Sequence, residues 1–177
     1  MGQASEETAL ADVSLLAVMS IIDWVHLFAT VAWIGGMTTN TFILLPSIKE
    51  TLEPATAGRF LAAVMKRFRL LVYGSIILLL FSGAVVTGVH GNYLELLQTG
   101  DSWAQVILIK HVLVAALIVL AVYAFELLAP KVAKMGARGP SPELVRLQKL
   151  QLRLATSGLV IGLIILLVVA IATTISA

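Results

Sequence analysis

Four long stretches of this chain contain no Asp, Glu, Lys or Arg; they cover residues 24–48, 70–94, 111–125 and 154–177. A helix needs roughly 20 residues to cross the ~30 Å hydrocarbon core of a bilayer. Lipid offers backbone groups no hydrogen-bond partner, so spans this apolar are expected to be helical. The third stretch reaches the required length if it includes Lys110 and Glu126. The sequence therefore predicts an all-α, integral membrane four-helix bundle, a single transmembrane domain over residues 1–177 with helices near 14–45, 69–92, 103–129 and 154–176.

The composition excludes several classes of protein. Hydrophobic residues make up 59% of the 177 residues and charged residues only 12%, whereas soluble domains carry about 25% charged residues. A soluble enzyme and a nucleic-acid-binding protein are both excluded, the latter also because the net charge is only +2. The chain has no cysteine, so a disulfide framework, an iron–sulfur cluster and a thiolate metal site are excluded as well.

The basic residues predict the orientation in the membrane. All of them except Lys110 lie in or beside the first and third loops. The N-terminal tail and the second loop carry acidic residues but no basic ones. Because cytoplasmic loops are enriched in Lys and Arg, both termini are predicted to be extracytoplasmic. The basic residues of the two loops are Lys49, Arg59, Lys66, Arg67, Arg69, Lys131, Lys134, Arg138, Arg146, Lys149 and Arg153.

Ionisable residues inside a membrane are costly and tend to be functional, and the three histidines are the main candidates. At ~1.5 Å per residue, His26, His90 and His111 each lie about 30 Å from the cytoplasmic end of their helix. Three imidazoles from three helices thus share one level near the outer face. Imidazole binds haem iron, copper and zinc, so these histidines are predicted metal or haem ligands. The alternative is that each is an interfacial, hydrogen-bonded residue, and His90 fits that alternative best.

A haem held between helices needs small residues beside its ligands. Gly83 lies seven residues before His90 and so on the same helical face. Glycine is also what ordinary packing of membrane helices uses, so the pattern permits a porphyrin without requiring it. Two charged residues complete the candidate site. Asp23 lies three residues before His26 and could orient its imidazole, while Lys110 could snorkel outward or pair with Asp23 or a haem propionate.

Copper is the competing ligand. Thioether and imidazole groups both suit copper, and Met37 lies three turns from His26 on a similar face. The other methionines, Met19, Met65 and Met135, are expected to lie too far apart in depth to form one site. No clustered run of His and Met is present in the sequence, which weakens the case for a dedicated copper pathway.

The segment Trp24-Val-His26-Leu-Phe-Ala-Thr-Val-Ala-Trp33-Ile-Gly35-Gly36-Met37 resembles the first-helix signature of the copper-resistance D (CopD) superfamily of membrane proteins. Residues 60–67 and 103–111 resemble the related HemJ-type protoporphyrinogen oxidases. In that group a first-helix histidine binds haem b, and a lysine that follows a tryptophan is important for activity. The resemblance therefore implies a haem ligand at His26 and an active lysine at Lys110. The added His90 and His111 favour a membrane cytochrome over an equivalent of that oxidase.

The main prediction is a membrane haem b protein for electron transfer or haem-linked redox chemistry at the outer face of a prokaryotic cytoplasmic membrane. His26 and His111 are the predicted axial ligands of one or two haems, His90 is a further ligand, and Lys110 would act by its charge if the protein is an enzyme. The alternatives are a copper-handling membrane protein and an oxidoreductase linked to a quinone or a porphyrinogen. The expected partners are lipid and either a quinone or a redox protein, and the small-residue faces allow a homodimer.

Overall fold

The computed structural model describes residues 2–89 and 102–175, and no β-strand occurs within these two ranges. Two short π-helical segments, π1 and π2, interrupt the α-helices. In chain order the elements are α1 (Gly2–Thr39), π1 (Asn40–Leu44), α2 (Leu45–Thr51), α3 (Pro54–Val89), α4 (Ser102–Val122), π2 (Tyr123–Leu128), α5 (Ala129–Gly136) and α6 (Pro142–Ile175).

These elements form four helices that are long and apolar enough to cross a membrane. Large apolar side chains cover the outside of the bundle; Val31 and Val119, for example, are 69% and 68% exposed. A surface of this kind is suited to lipid and not to water. The predicted all-α, four-helix membrane fold is confirmed, and the orientation of the termini stays a prediction. The four spans are Asp12–Ile48, Thr56–Val86, Ala104–Gly136 and Pro142–Thr174.

Two helices extend beyond the predicted spans at the end nearest the basic loops. Helix α3 begins at Pro54, before the predicted start at 69, and α6 begins at Pro142, before the predicted start at 154. Both extensions carry charged residues interleaved with apolar ones, a pattern that forms an amphipathic helix beyond the hydrocarbon. The start of α6 is defined by Ser141, whose Oγ accepts a hydrogen bond from the Leu144 N–H at 3.2 Å. Such caps stabilise the first turn of a helix.

The spans pack as two pairs, α1 with α3 and α4 with α6, and α1 also contacts α6. All four spans contribute to one apolar core. Because Met37 and Trp33 of α1 are nearly buried in it, the first span is tied to the other three. The core residues are Trp33, Met37, Val72, Ile76, Leu117, Ala121 and Leu159.

Candidate functional site

The His26 imidazole is held by a buried serine on the neighbouring helix. His26 Nδ1 lies 2.8 Å from the Oγ of Ser82, and Ser82 is completely buried. The Ser82 hydroxyl donates its proton to the carbonyl oxygen of Leu78 at 2.6 Å. Since a hydroxyl has only one proton to donate, its oxygen is left to accept from Nδ1–H. This assigns the tautomer of His26 and leaves the lone pair of Nε2 available for a ligand.

Gly83 lies next to the same imidazole. A Cβ built on Gly83 would be 3.8 Å from the Cε1 atom of His26, which is an ordinary van der Waals distance. The structure thus brings Gly83 to His26, which is one of the predicted ligands. The helix also holds His26 from its own side, because Thr30 Oγ1 donates to the His26 carbonyl oxygen at 2.9 Å.

Two opposite charges act on the His26 imidazole. Lys110 of α4 and Asp23 of α1 both lie close enough for an electrostatic effect on it. Lys110 is only partly exposed, whereas Asp23 is exposed. Of the predicted site residues, Gly83 thus lies beside the His26 ring, and the charges of Asp23 and Lys110 are within electrostatic range of it.

His111 lies elsewhere on α4. Its side chain is exposed, and its Nδ1 lies 2.7 Å from the Ile107 carbonyl oxygen one turn earlier. A carbonyl can only accept a hydrogen bond, so Nδ1 is the donor and Nε2 is again left free. Within residues 2–89 and 102–175, the ring nitrogens of His26 and His111 have separate hydrogen-bond partners, and no group of three or more His, Cys, Asp or Glu residues could hold a metal ion. His90 lies outside the described residues, so the convergence of the three histidines stays a prediction.

A cavity of about 510 Å³ lies in the half of the bundle nearest the basic loops. Trp33, Phe68 and Phe125 form aromatic parts of its wall, and His26 is not among the lining residues. Met37 and Met65 both line it. The two methionines, which are expected from the sequence to lie too far apart in depth to form one site, therefore border the same cavity.

A polar contact joins the second and third spans beside this cavity. Tyr73 Oη donates to Glu126 Oε1 at 2.7 Å, and the Arg69 guanidinium lies 3.6 Å from the same oxygen. Phe125 packs edge-on against Tyr73, with ring centroids 6.1 Å apart. These groups hold α3 against π2 at the wall of the cavity.

Two residues that matter at these sites are not evident from the sequence. Ser82 is a small residue within an apolar helix, and the only feature near it that hints at a special role is the adjacent Gly83. Thr41 has a buried hydroxyl with no hydrogen-bond partner among the described residues. The only hint in the sequence is that Thr41 follows Thr38, Thr39 and Asn40 in a span otherwise poor in polar residues.

The four apolar spans define a multi-pass membrane protein, and His26 lies in the first span against Ser82 of the second. The family model described as Copper resistance protein D (CopD) matches residues 62–172. The chain belongs to this family. The matched region contains Ser82, Gly83 and Lys110 but begins after His26. No curated protein and no solved structure matches the chain.

Proposed function

We propose that this protein handles copper on the extracytoplasmic side of the membrane and that His26 is a copper ligand. The family to which the chain belongs is described by copper resistance, which favours the copper alternative over haem b. Copper is the substrate in this proposal, and imidazole nitrogen is one of its preferred ligands.

The hydrogen bond between His26 and Ser82 is the observation that carries the proposal. Histidines that bind metals almost always donate their second ring N–H to a protein acceptor, which orients the ring and raises the basicity of the binding nitrogen. His26 has this arrangement, with Nδ1 held at 2.8 Å by a buried hydroxyl. Its Nε2 is the nitrogen proposed to bind copper.

The charges around His26 are suited to reversible binding of a copper ion. Asp23 attracts a cation at this site, whereas Lys110 repels it. Sites that pass ions across a membrane must bind them well enough to admit them and weakly enough to release them. The opposed charges therefore support transfer of copper over its permanent storage.

Copper binding by the purified, detergent-solubilised protein tests this function. The protein is loaded anaerobically with Cu(I), and its affinity is measured by competition with a chromogenic Cu(I) chelator. We expect stoichiometric copper in the native protein and a loss of high-affinity binding in His26→Ala. His111→Ala is the companion variant, because it removes an exposed imidazole that is predicted to lie at the same level. Equal copper affinity of His26→Ala and the native protein would overturn the proposal.

A haem b protein is the second candidate, and Lys110 is the observation that favours it. A cation beside a histidine can pair with a haem propionate, and His26 would be the axial ligand. Bound haem would supply one-electron transfer. The same purified protein distinguishes the candidates: a Soret band that shifts on reduction and disappears in His26→Ala supports haem, and a colourless protein with bound copper supports copper handling.

A further inference from the structure

The cavity near the basic loops has the size and the walls of a site for a small organic molecule. Its volume of about 510 Å³ lies within the ~300–1,000 Å³ of ordinary ligand pockets. A single metal ion would leave most of this space empty. The walls come from all four spans and include the rings of Trp33, Phe68 and Phe125, which offer flat apolar surfaces to a ring compound.

The polar groups of the cavity all provide hydrogen-bond donors. They belong to Asn40 and Thr41 of π1 and to Gln148, Lys149 and Gln151 of α6. Amide, hydroxyl and ammonium groups can each donate. No Asp or Glu is among the lining residues. This set favours a ligand that carries oxygen acceptors and disfavours a cationic ligand.

Thr41 is the most informative of these residues. Its Oγ1 is buried and has no hydrogen-bond partner among the described residues. Other threonines in these helices donate to the carbonyl four residues earlier; they are Thr30, Thr38, Thr51, Thr156 and Thr174. Thr41 lies in π1, where the backbone hydrogen bonds run five residues apart, and this changes the carbonyl geometry around it.

A buried hydroxyl without a hydrogen-bond partner is unfavourable. A ligand in the cavity that accepts a hydrogen bond from Thr41 would remove this cost. Thr41 is a lining residue of the cavity, and Thr populates two χ1 rotamers in helices, so a change of rotamer is the movement that would present its hydroxyl to a bound ligand. The second π-helical segment, π2, also lines the cavity, through Ala124 and Phe125. Single π-helical turns occur frequently at functional sites.

We propose that this cavity binds an uncharged, membrane-soluble ring compound with hydrogen-bond-accepting oxygens, which is the chemistry of a quinone headgroup, and that Thr41 donates to one of those oxygens. The aromatic walls would hold the ring, and the polar residues of π1 and α6 would orient it. This site is separate from His26 and does not depend on copper.

Tryptophan fluorescence provides the test, because Trp33 lines the cavity. A variant with Trp24→Phe and Trp103→Phe keeps Trp33 as its only tryptophan. The copper-free protein in nanodiscs is titrated with a short-tailed 1,4-naphthoquinone, and we expect saturable quenching. Quenching that rises without saturation would show simple partition into lipid and would overturn the proposal.

Two substitutions probe the contacts within the site. Thr41→Val should weaken naphthoquinone binding about threefold to tenfold, the loss expected for one neutral hydrogen bond. Thr38→Val is the matched control, since Thr38 is exposed and donates to its own helix, and it should leave the affinity unchanged. Ala155→Phe, which places a ring in the cavity, should weaken binding at least about tenfold. Equal affinities of Thr41→Val and Thr38→Val would refute the role of Thr41.

A competitor without oxygen separates a quinone site from a site for lipid chains. An alkylated naphthalene of the same size should compete much more weakly than the naphthoquinone, and equal competition would overturn the proposal. The native protein, which has all three tryptophans, allows an independent measurement of binding by thermal melting. Naphthoquinone should raise its melting temperature, because a ligand stabilises the state that binds it, and the alkylated naphthalene should not.

Discussion

Replacing Ser82 with alanine tests whether the neighbouring helix prepares His26 for copper. The substitution removes the oxygen that accepts the Nδ1–H of His26 at 2.8 Å. Because Ser82 is completely buried, water cannot easily take the place of its hydroxyl. A buried donor without a partner costs about 1–3 kcal/mol. Loss of such a supporting hydrogen bond typically lowers metal affinity about 10–100-fold, which corresponds to about 1.4–2.7 kcal/mol.

Competition with a Cu(I) chelator measures this loss, and we expect the dissociation constant of Ser82→Ala to rise about 10–100-fold. Ser75→Ala is the matched control. Ser75 is also buried, at 4% exposure, and it lies two turns earlier on the same face of α3, away from His26. It should change stability but not copper affinity. If Ser82→Ala binds copper as tightly as Ser75→Ala, the hydrogen bond to His26 does not prepare a copper site and the reasoning fails.

Two further predictions concern packing and orientation. A Cβ on Gly36 would lie 2.7 Å from the Phe68 ring, whereas a Cβ on Gly35 would meet nothing within 4 Å. Gly36→Ala should therefore be about 1–3 kcal/mol less stable than the native protein, and Gly35→Ala should be equally stable or more stable. Thermal melting in detergent measures both. A lower melting temperature for Gly35→Ala alone would contradict this packing. Because the chain has no cysteine, Leu10→Cys should react with an impermeant maleimide in intact cells, and Gly136→Cys only after permeabilisation. The reverse labelling pattern would disprove the predicted orientation.

The N-terminal ends of α3 and α6 show the limit of predicting helix bounds from hydrophobicity. A search for uncharged stretches starts these helices at 69 and 154, where the charged residues stop. The structure starts them at Pro54 and Pro142, because a helix continues as long as its backbone hydrogen bonds and amphipathic pattern allow. The uncharged stretch thus marks the part inside the lipid and not the whole helix.

The candidate site shows a similar limit. Depth along a helix follows from counting residues, which is why a common level is predicted for His26, His90 and His111. The direction in which a side chain points around the helix depends on how the helices pack. This is why His26 lies against Ser82 and Gly83 while His111 is exposed.

Local composition is enough to identify a four-span membrane protein, since lipid thickness and the cost of charge in hydrocarbon act on each segment separately. The resemblance of the first span to CopD proteins likewise rests on consecutive residues and agrees with the family of the chain. The partner of His26, the cavity and the unpaired hydroxyl of Thr41 all depend on groups from different helices or on a local change from α- to π-helix. Contacts of this kind arise from the rotation and register of packed helices, which no single segment specifies.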